Sequence, residues 1–156
     1  MAAKMGIADT MFARVDMFTI AKKAINDYGA SIKLERYTVP GIKDLPVACK
    51  RLIQEFDCDI VIALGMPGPE QIDKQCAHEA STAIIQAQLM TNKHILEVFI
   101  HEDEGKDNKH LYELTYNRTY DHAINALELL EGKEALSKNA GKGIRQGSKN
   151  AGKLRE

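Results

Sequence analysis

The chain has 156 residues, of which 44% are hydrophobic and 28% charged, with a formal net charge of −1. That is the size of about one domain, large enough to bury a core without a metal or disulfide, and it excludes collagens, coiled coils and secreted disulfide scaffolds. Cys49, Cys58 and Cys76 form no CxxC pair or zinc-spaced cluster, no stretch nears the roughly 20 apolar residues of a membrane span, and the start MAAKMGIADT has no apolar signal core, so a cytoplasmic, reducing setting is expected.

The predicted elements alternate. Residues 5–8 form a short apolar run ending in Asp9, which suits a buried strand. Residues 15–28 carry Val15, Phe18, Ala21 and Ile25 at helical spacing, with Asp16 placed to cap or charge the first turn and Gly29 to end the helix. A second strand is predicted over 31–39, broken by Pro40-Gly41. A helix follows over 43–56, with Leu45, Val47, Ala48 and Leu52 as its expected sheet-facing set and Pro46 tolerable only in its first turn. Residues 58–64, CDIVIAL, are the strongest strand. The loop Gly65-Met66-Pro67-Gly68-Pro69 leads into a long helix over 70–90, with an expected buried stripe of Ile72, Cys76, Ala80, Ala83 and Ala87. A fourth strand over 95–100 precedes the loop His101-Glu102-Asp103-Glu104-Gly105, and the last helix spans 106–131.

Charge divides the chain. Residues 132–156 hold seven Lys/Arg and two acids, a net of +5, and five of the eleven glycines. Residues 1–131 hold fourteen Lys/Arg and twenty acids, a net of −6. The chain therefore reads as an α/β domain over 1–131 with a basic, Gly-rich extension over 132–156. The extension contains Gly141-Lys142-Gly143-Ile144-Arg145-Gln146-Gly147, which has the spacing of neither a P-loop nor GxGxxG.

Four successive strand–helix units imply a four-stranded parallel sheet with helices on both faces. Right-handed crossovers put all strand C-termini on one edge, where ligands bind. The candidate loops are thus 9–14, 38–44, 65–70 and 101–105. In the first, Phe12 is placed to stack on a planar ring and Arg14 to bind an anion or carbonyl, against a core Phe12 and a solvated Arg14. The second offers backbone N–H donors at a helix start, against a plain turn. The third is rigid and allows close backbone approach. His78, on the helix behind it, suits proton transfer near neutral pH, against a surface histidine. The fourth is the densest ionisable cluster, suited to acid–base work or a hard cation, against a solvated loop. Tyr112, Tyr116 and Tyr120 recur every fourth residue, a pattern of core or subunit contact.

The segments Gly6-Ile7-Ala8-Asp9-Thr10, Phe12-Ala13-Arg14-Val15-Asp16-Met17, VPGIKDLPVACK (39–50), Cys58-Asp59-Ile60-Val61, Ala63-Leu64-Gly65-Met66-Pro67-Gly68, Cys76-Ala77-His78-Glu79-Ala80-Ser81 and His101-Glu102-Asp103-Glu104 resemble, in order, those of the archaeal-type riboflavin synthases, relatives of lumazine synthase. The resemblance implies a three-layer, flavodoxin-like or lumazine synthase-like sandwich. It also implies dismutation of two 6,7-dimethyl-8-ribityllumazine molecules to riboflavin and 5-amino-6-(D-ribitylamino)uracil, the last step of riboflavin biosynthesis, in a homopentamer with sites between subunits. No organic cofactor and no metal site are implied; a divalent-ion requirement such as Mg2+ stays open, and membrane and nucleic-acid partners are not expected. The Arg-Gly and the His that follow the central strand in lumazine synthases are missing from 66–72.

Joining loops to reaction, the expected substrate-binding residues are Thr10, Phe12, Ala13, Arg14, Pro40, Gly41, Ile42, Lys43, Asp44, Met66, Pro67 and Gly68. Phe12 is expected on a ring, 40–44 on ring polar atoms and 66–68 along the ribityl chain. Candidates for proton transfer are His78, Glu79, His101 and Glu102. Lumazine synthase activity and non-catalytic flavin or lumazine binding are the alternatives.

Overall fold

A computed structural model describes residues 3–146 and 148–155, so Gly147 of the glycine motif and Glu156 of the extension lie outside the described residues. The elements are β1 (Lys4–Thr10), α1 (Met17–Tyr28), β2 (Lys33–Val39), α2 (Leu45–Gln54), β3 (Ile60–Gly65), α3 (Gln71–Thr91), β4 (Ile95–Phe99) and α4 (Asn108–Glu131). Short 3-10 turns stand at Ile42–Asp44, Glu102–Glu104 and Ser137–Asn139. All pairings are parallel, in the order β2-β1-β3-β4. This is the expected α/β sandwich, with the winding reversal of flavodoxin-like sheets between β1 and β3.

Side-chain alternation sorts the two faces. Met5, Ile7, Ile60, Ile62, Leu64 and Val98 pack on α1 and α4, while Ala8, Val61, Ala63 and Ile95 pack on α2 and α3. Every residue of β3 is buried, which explains its unbroken apolar sequence. Each Ile or Leu so buried contributes roughly 1.5–3 kcal/mol. No described helix is long and apolar enough to cross a membrane.

Two expected boundaries and two expected faces change. β1 runs on through Asp9 and Thr10, because Asp9 finds partners on β2 and remains in register with Thr38. Residues 42–44 form a 3-10 turn, so α2 starts at Leu45 with Pro46 in its first turn. That phase buries Leu45, Ala48, Cys49, Leu52 and Ile53 and turns Val47 outward, correcting its expected place on the sheet. α3 buries Ala77, Ala80, Ile84 and Ala87. Ile72, expected in that stripe, is 63% exposed, because the helix phase that buries residues 77, 80, 84 and 87 puts position 73 rather than 72 on the inner side. At α1 the cap is as expected: Thr19 donates to the Asp16 carboxylate through N–H at 3.4 Å and Oγ1 at 2.9 Å, a cap worth about 1 kcal/mol.

Candidate active site

The C-terminal ends of β1 and β3 adjoin where the winding reverses, the usual ligand position in such a sheet. A hollow of about 400 Å³ lies at this edge, lined by Phe12, Arg14, Ile42, Met66, Pro67, Gly68, Asp73, Cys76 and Glu102. All four predicted loops contribute to it. Its size suits one drug-sized ligand.

The β1 loop is anchored at its root. Asp9, only 6% exposed, accepts from Arg36 Nη2 at 2.6 Å and Nε at 3.2 Å, and from Thr38 Oγ1 at 2.6 Å. The Arg36 guanidinium also lies 4.3 Å over the Phe18 ring. The Met11 N–H donates to Val39 O at 3.0 Å. From this root Phe12 extends to the mouth of the hollow, where it is 40% exposed, rather than turning into the core. Arg14 donates to Glu102 Oε1 at 3.3 Å and Asn108 Oδ1 at 3.2 Å.

Ile42, in the 3-10 turn before α2, and Met66, Pro67 and Gly68, after β3, line another side. Gly65 has no Cβ where one would stand 3.0 Å from the Phe99 ring and 3.2 Å from Ile42 Cδ1. The chain then turns through Met66, Pro67 and Gly68 to α3, whose start is closed by Asp73 Oδ2 accepting from the Glu70 N–H at 3.1 Å. The second loop is closed in the same way by Asp44, which accepts from the Gly41 N–H at 3.0 Å. One of the backbone donors expected there is thereby taken within the loop.

The acidic loop after β4 is cross-linked to three other elements. Glu102 pairs with Arg14, Asp103 with Lys74 at 2.6 Å, and Glu104 with both Arg118 nitrogens at 2.9 and 3.0 Å. The His101 N–H adds a bond to Glu104 at 2.8 Å. The Lys74 hydrogen bond holds the Asp103 carboxyl below its ordinary value. Burial alone would push Glu104 up, but Arg118 and the His101 N–H outweigh it and hold it down. Among the described residues no three His, Cys, Asp or Glu side chains are grouped to hold a metal.

Seven of the predicted residues thus meet at the hollow: Phe12, Arg14, Ile42, Met66, Pro67, Gly68 and Glu102. The others fall outside its lining. Thr10 is buried at the end of β1, its Oγ1 without a hydrogen-bond partner among the described residues, and Ala13 packs on the α1–α4 core. Pro40 is exposed beside Gly41. Lys43 and Glu79 pair with each other at 3.6 Å. His78 is exposed on α3, and His101 lines a neighbouring hollow with Lys74, Asp103 and Glu104. Two further lining residues, Asp73 and Cys76, stand outside the expected set of site residues, Cys76 having been placed in the buried stripe of α3. The first had a legible signal, the Glu70-x-x-Asp73 spacing of a self-capped helix start; Cys76 follows it by three residues on the same helix.

The walls formed by Phe12, Ile42, Met66 and Pro67 suit the faces of a planar ring, and Arg14, Asp73, Cys76 and Glu102 supply a polar rim. The family model described as 6,7-dimethyl-8-ribityllumazine synthase matches residues 2–134. Riboflavin synthase from Methanothermobacter thermautotrophicus is 57% identical over 151 residues, covering 97% of this chain and 99% of the relative. Riboflavin synthase from Archaeoglobus fulgidus is 48% identical over 97% of this chain and 98% of its own length. By contrast, 6,7-dimethyl-8-ribityllumazine synthase from Methanocaldococcus jannaschii is 30% identical over 49% of this chain and 55% of its own. The chain belongs to the lumazine synthase family, and these two relatives, which match it over nearly its full length, are riboflavin synthases.

Proposed function

We infer that this chain is a riboflavin synthase. Two 6,7-dimethyl-8-ribityllumazine molecules react, one giving a four-carbon unit to the other, and leave as riboflavin and 5-amino-6-(D-ribitylamino)uracil. The atoms of two substrates are those of the two products, so the proposal includes no organic cofactor. One observation carries the reading over lumazine synthase activity. The hollow is walled for a ring, and its single basic lining residue, Arg14, is already bonded to Glu102 and Asn108. A phosphorylated four-carbon sugar needs a cation there; an uncharged ribityl side chain does not.

Holding two rings together supplies much of the acceleration, up to about 7–11 kcal/mol in favourable cases. Of the four proton-transfer candidates, Glu102 alone lines the hollow, and the proposal assigns it that role. The hollow holds one ring, so the second must lie on its open side. That supports a homo-oligomer, a pentamer by resemblance, with sites completed between subunits. Met11, at 75% exposure, and the outward Ile85, Leu89 and Met90 of α3 are apolar surface suited to such contacts. The three free cysteines support a cytoplasmic setting.

The test is to incubate the purified chain with 6,7-dimethyl-8-ribityllumazine and quantify both products, with sedimentation in parallel. Equal yields are expected, reduced roughly tenfold or more in Phe12→Ala and Glu102→Gln. Flavin binding without turnover would make the chain a binding protein instead.

A further inference from the structure

We infer that Asp73 is a specificity determinant of the hollow: with Glu102 it admits an uncharged, hydroxyl-bearing ligand and turns away the phosphate ester of that ligand. The inference rests on reading the hollow as the lumazine and flavin site, and it names the charge state that the site accepts.

α3 begins at the edge of the hollow. A helix start presents unsatisfied N–H groups and partial positive charge, which attract anions. Here the chain answers that attraction itself. Asp73 Oδ2 accepts from the Glu70 N–H at 3.1 Å. The same carboxylate rests on Gly68, where a Cβ would stand 2.9 Å from Asp73 Cγ. Gly68 therefore lets a negative charge sit against the wall of the hollow where any side chain would displace it.

Glu102 adds a second negative charge to the lining, with Oε1 3.3 Å from Arg14 Nη1. Arg14 Nη2 is directed to Asn108 Oδ1 at 3.2 Å. The charged groups of the lining are thus two carboxylates and one guanidinium already bonded to one of them. A phosphate entering this space lies within a Debye length, about 8 Å, of a net negative wall. A hydroxyl meets no such penalty, because it donates to a carboxylate.

Asp73→Asn removes the charge and keeps an acceptor for the Glu70 N–H, so the helix start survives. Flavin fluorescence measures dissociation constants for riboflavin and riboflavin 5′-phosphate. The wild type is expected to prefer riboflavin roughly tenfold or more, and the variant to lose roughly threefold of that preference. Equal affinities in the wild type, or a preference unmoved in the variant, overturn the inference and leave the riboflavin synthase reading standing.

A second arm needs no flavin. Cys76 is half-buried on the hollow, whereas burial pushes the Cys49 thiol up to about 12 and the Cys58 thiol up to about 11. Alkylation at neutral pH therefore reports on Cys76. At constant ionic strength, inorganic phosphate is expected to slow alkylation of Asp73→Asn roughly twofold or more and to leave the wild-type rate unchanged. Phosphate that protects both proteins alike, or neither, overturns the inference. Absence of both lumazine turnover and flavin binding would sink the functional reading alone, and the phosphate arm would still decide the role of Asp73.

Discussion

Replacing Arg36 by Met tests whether the loop that carries Phe12 and Arg14 hangs on Asp9. The Asp9 side chain is 8% exposed and the Arg36 side chain 41%. Removing one partner of a buried ion pair costs about 3–5 kcal/mol. The cost here falls toward about 2–3 kcal/mol, because the guanidinium is partly solvated and Thr38 Oγ1 still donates to Asp9. Losing the Phe18 contact adds about 0.5 kcal/mol. At roughly 2–4 °C per kcal/mol for a chain of this size, Arg36→Met should melt about 5–14 °C below the wild type. Most of that deficit is the stranded Asp9 charge, so Asp9→Asn combined with Arg36→Met should melt above Arg36→Met alone. Thermal unfolding of the two singles and the double decides it. A single-variant loss below about 1 kcal/mol, or a double that melts lower still, refutes the argument that a buried carboxylate is held by that guanidinium. Riboflavin should bind Arg36→Met more weakly as well, since Phe12 extends from the loosened loop.

Glu104 titrates below its ordinary value despite burial, because Arg118 and the His101 N–H favour its charged form. A depressed folded value stabilises the protein above the unfolded value, near about 4.3, and that contribution is lost as pH falls through the folded value. Glu104→Gln should therefore melt below the wild type at neutral pH, with the gap closing between about pH 5 and 3; a constant gap across that range counts against the staple. Gly65→Ala forces a Cβ to within 3.0 Å of the Phe99 ring and 3.2 Å of Ile42 Cδ1. Overpacking of this kind costs about 1–3 kcal/mol, and because Ile42 lines the hollow, riboflavin binding should weaken with it. An unchanged melting temperature would show that the ring moves aside freely.

The architecture was legible because hydrophobic pattern and topology act over many residues. CDIVIAL can bury both faces only in the middle of a sheet, and β3 lies between β1 and β4. Four strand–helix units then leave one edge for ligands, whatever the loops contain. Individual partners were not legible, since a loop's charge does not show what lies across from it. The acids at 102–104 suggest proton transfer or a cation. The fold instead brings Arg14, Lys74 and Arg118 to them from three elements 14 to 88 residues away in the chain. Helix phase decides the remainder. α3 turns about 100° per residue, so Asp73 and Cys76 lie about 60° apart and share one side. His78 then falls nearly opposite their midpoint and Glu79 about a quarter-turn away. A histidine near neutral titration attracts attention in a sequence, yet the start of α3 at Gln71, set by the Glu70–Asp73 closure, places it on the outer surface. The same closure brings a carboxylate against Gly68. One local capping interaction thereby removes His78 from the hollow of its own chain and supplies the charge that distinguishes a polyol from its phosphate.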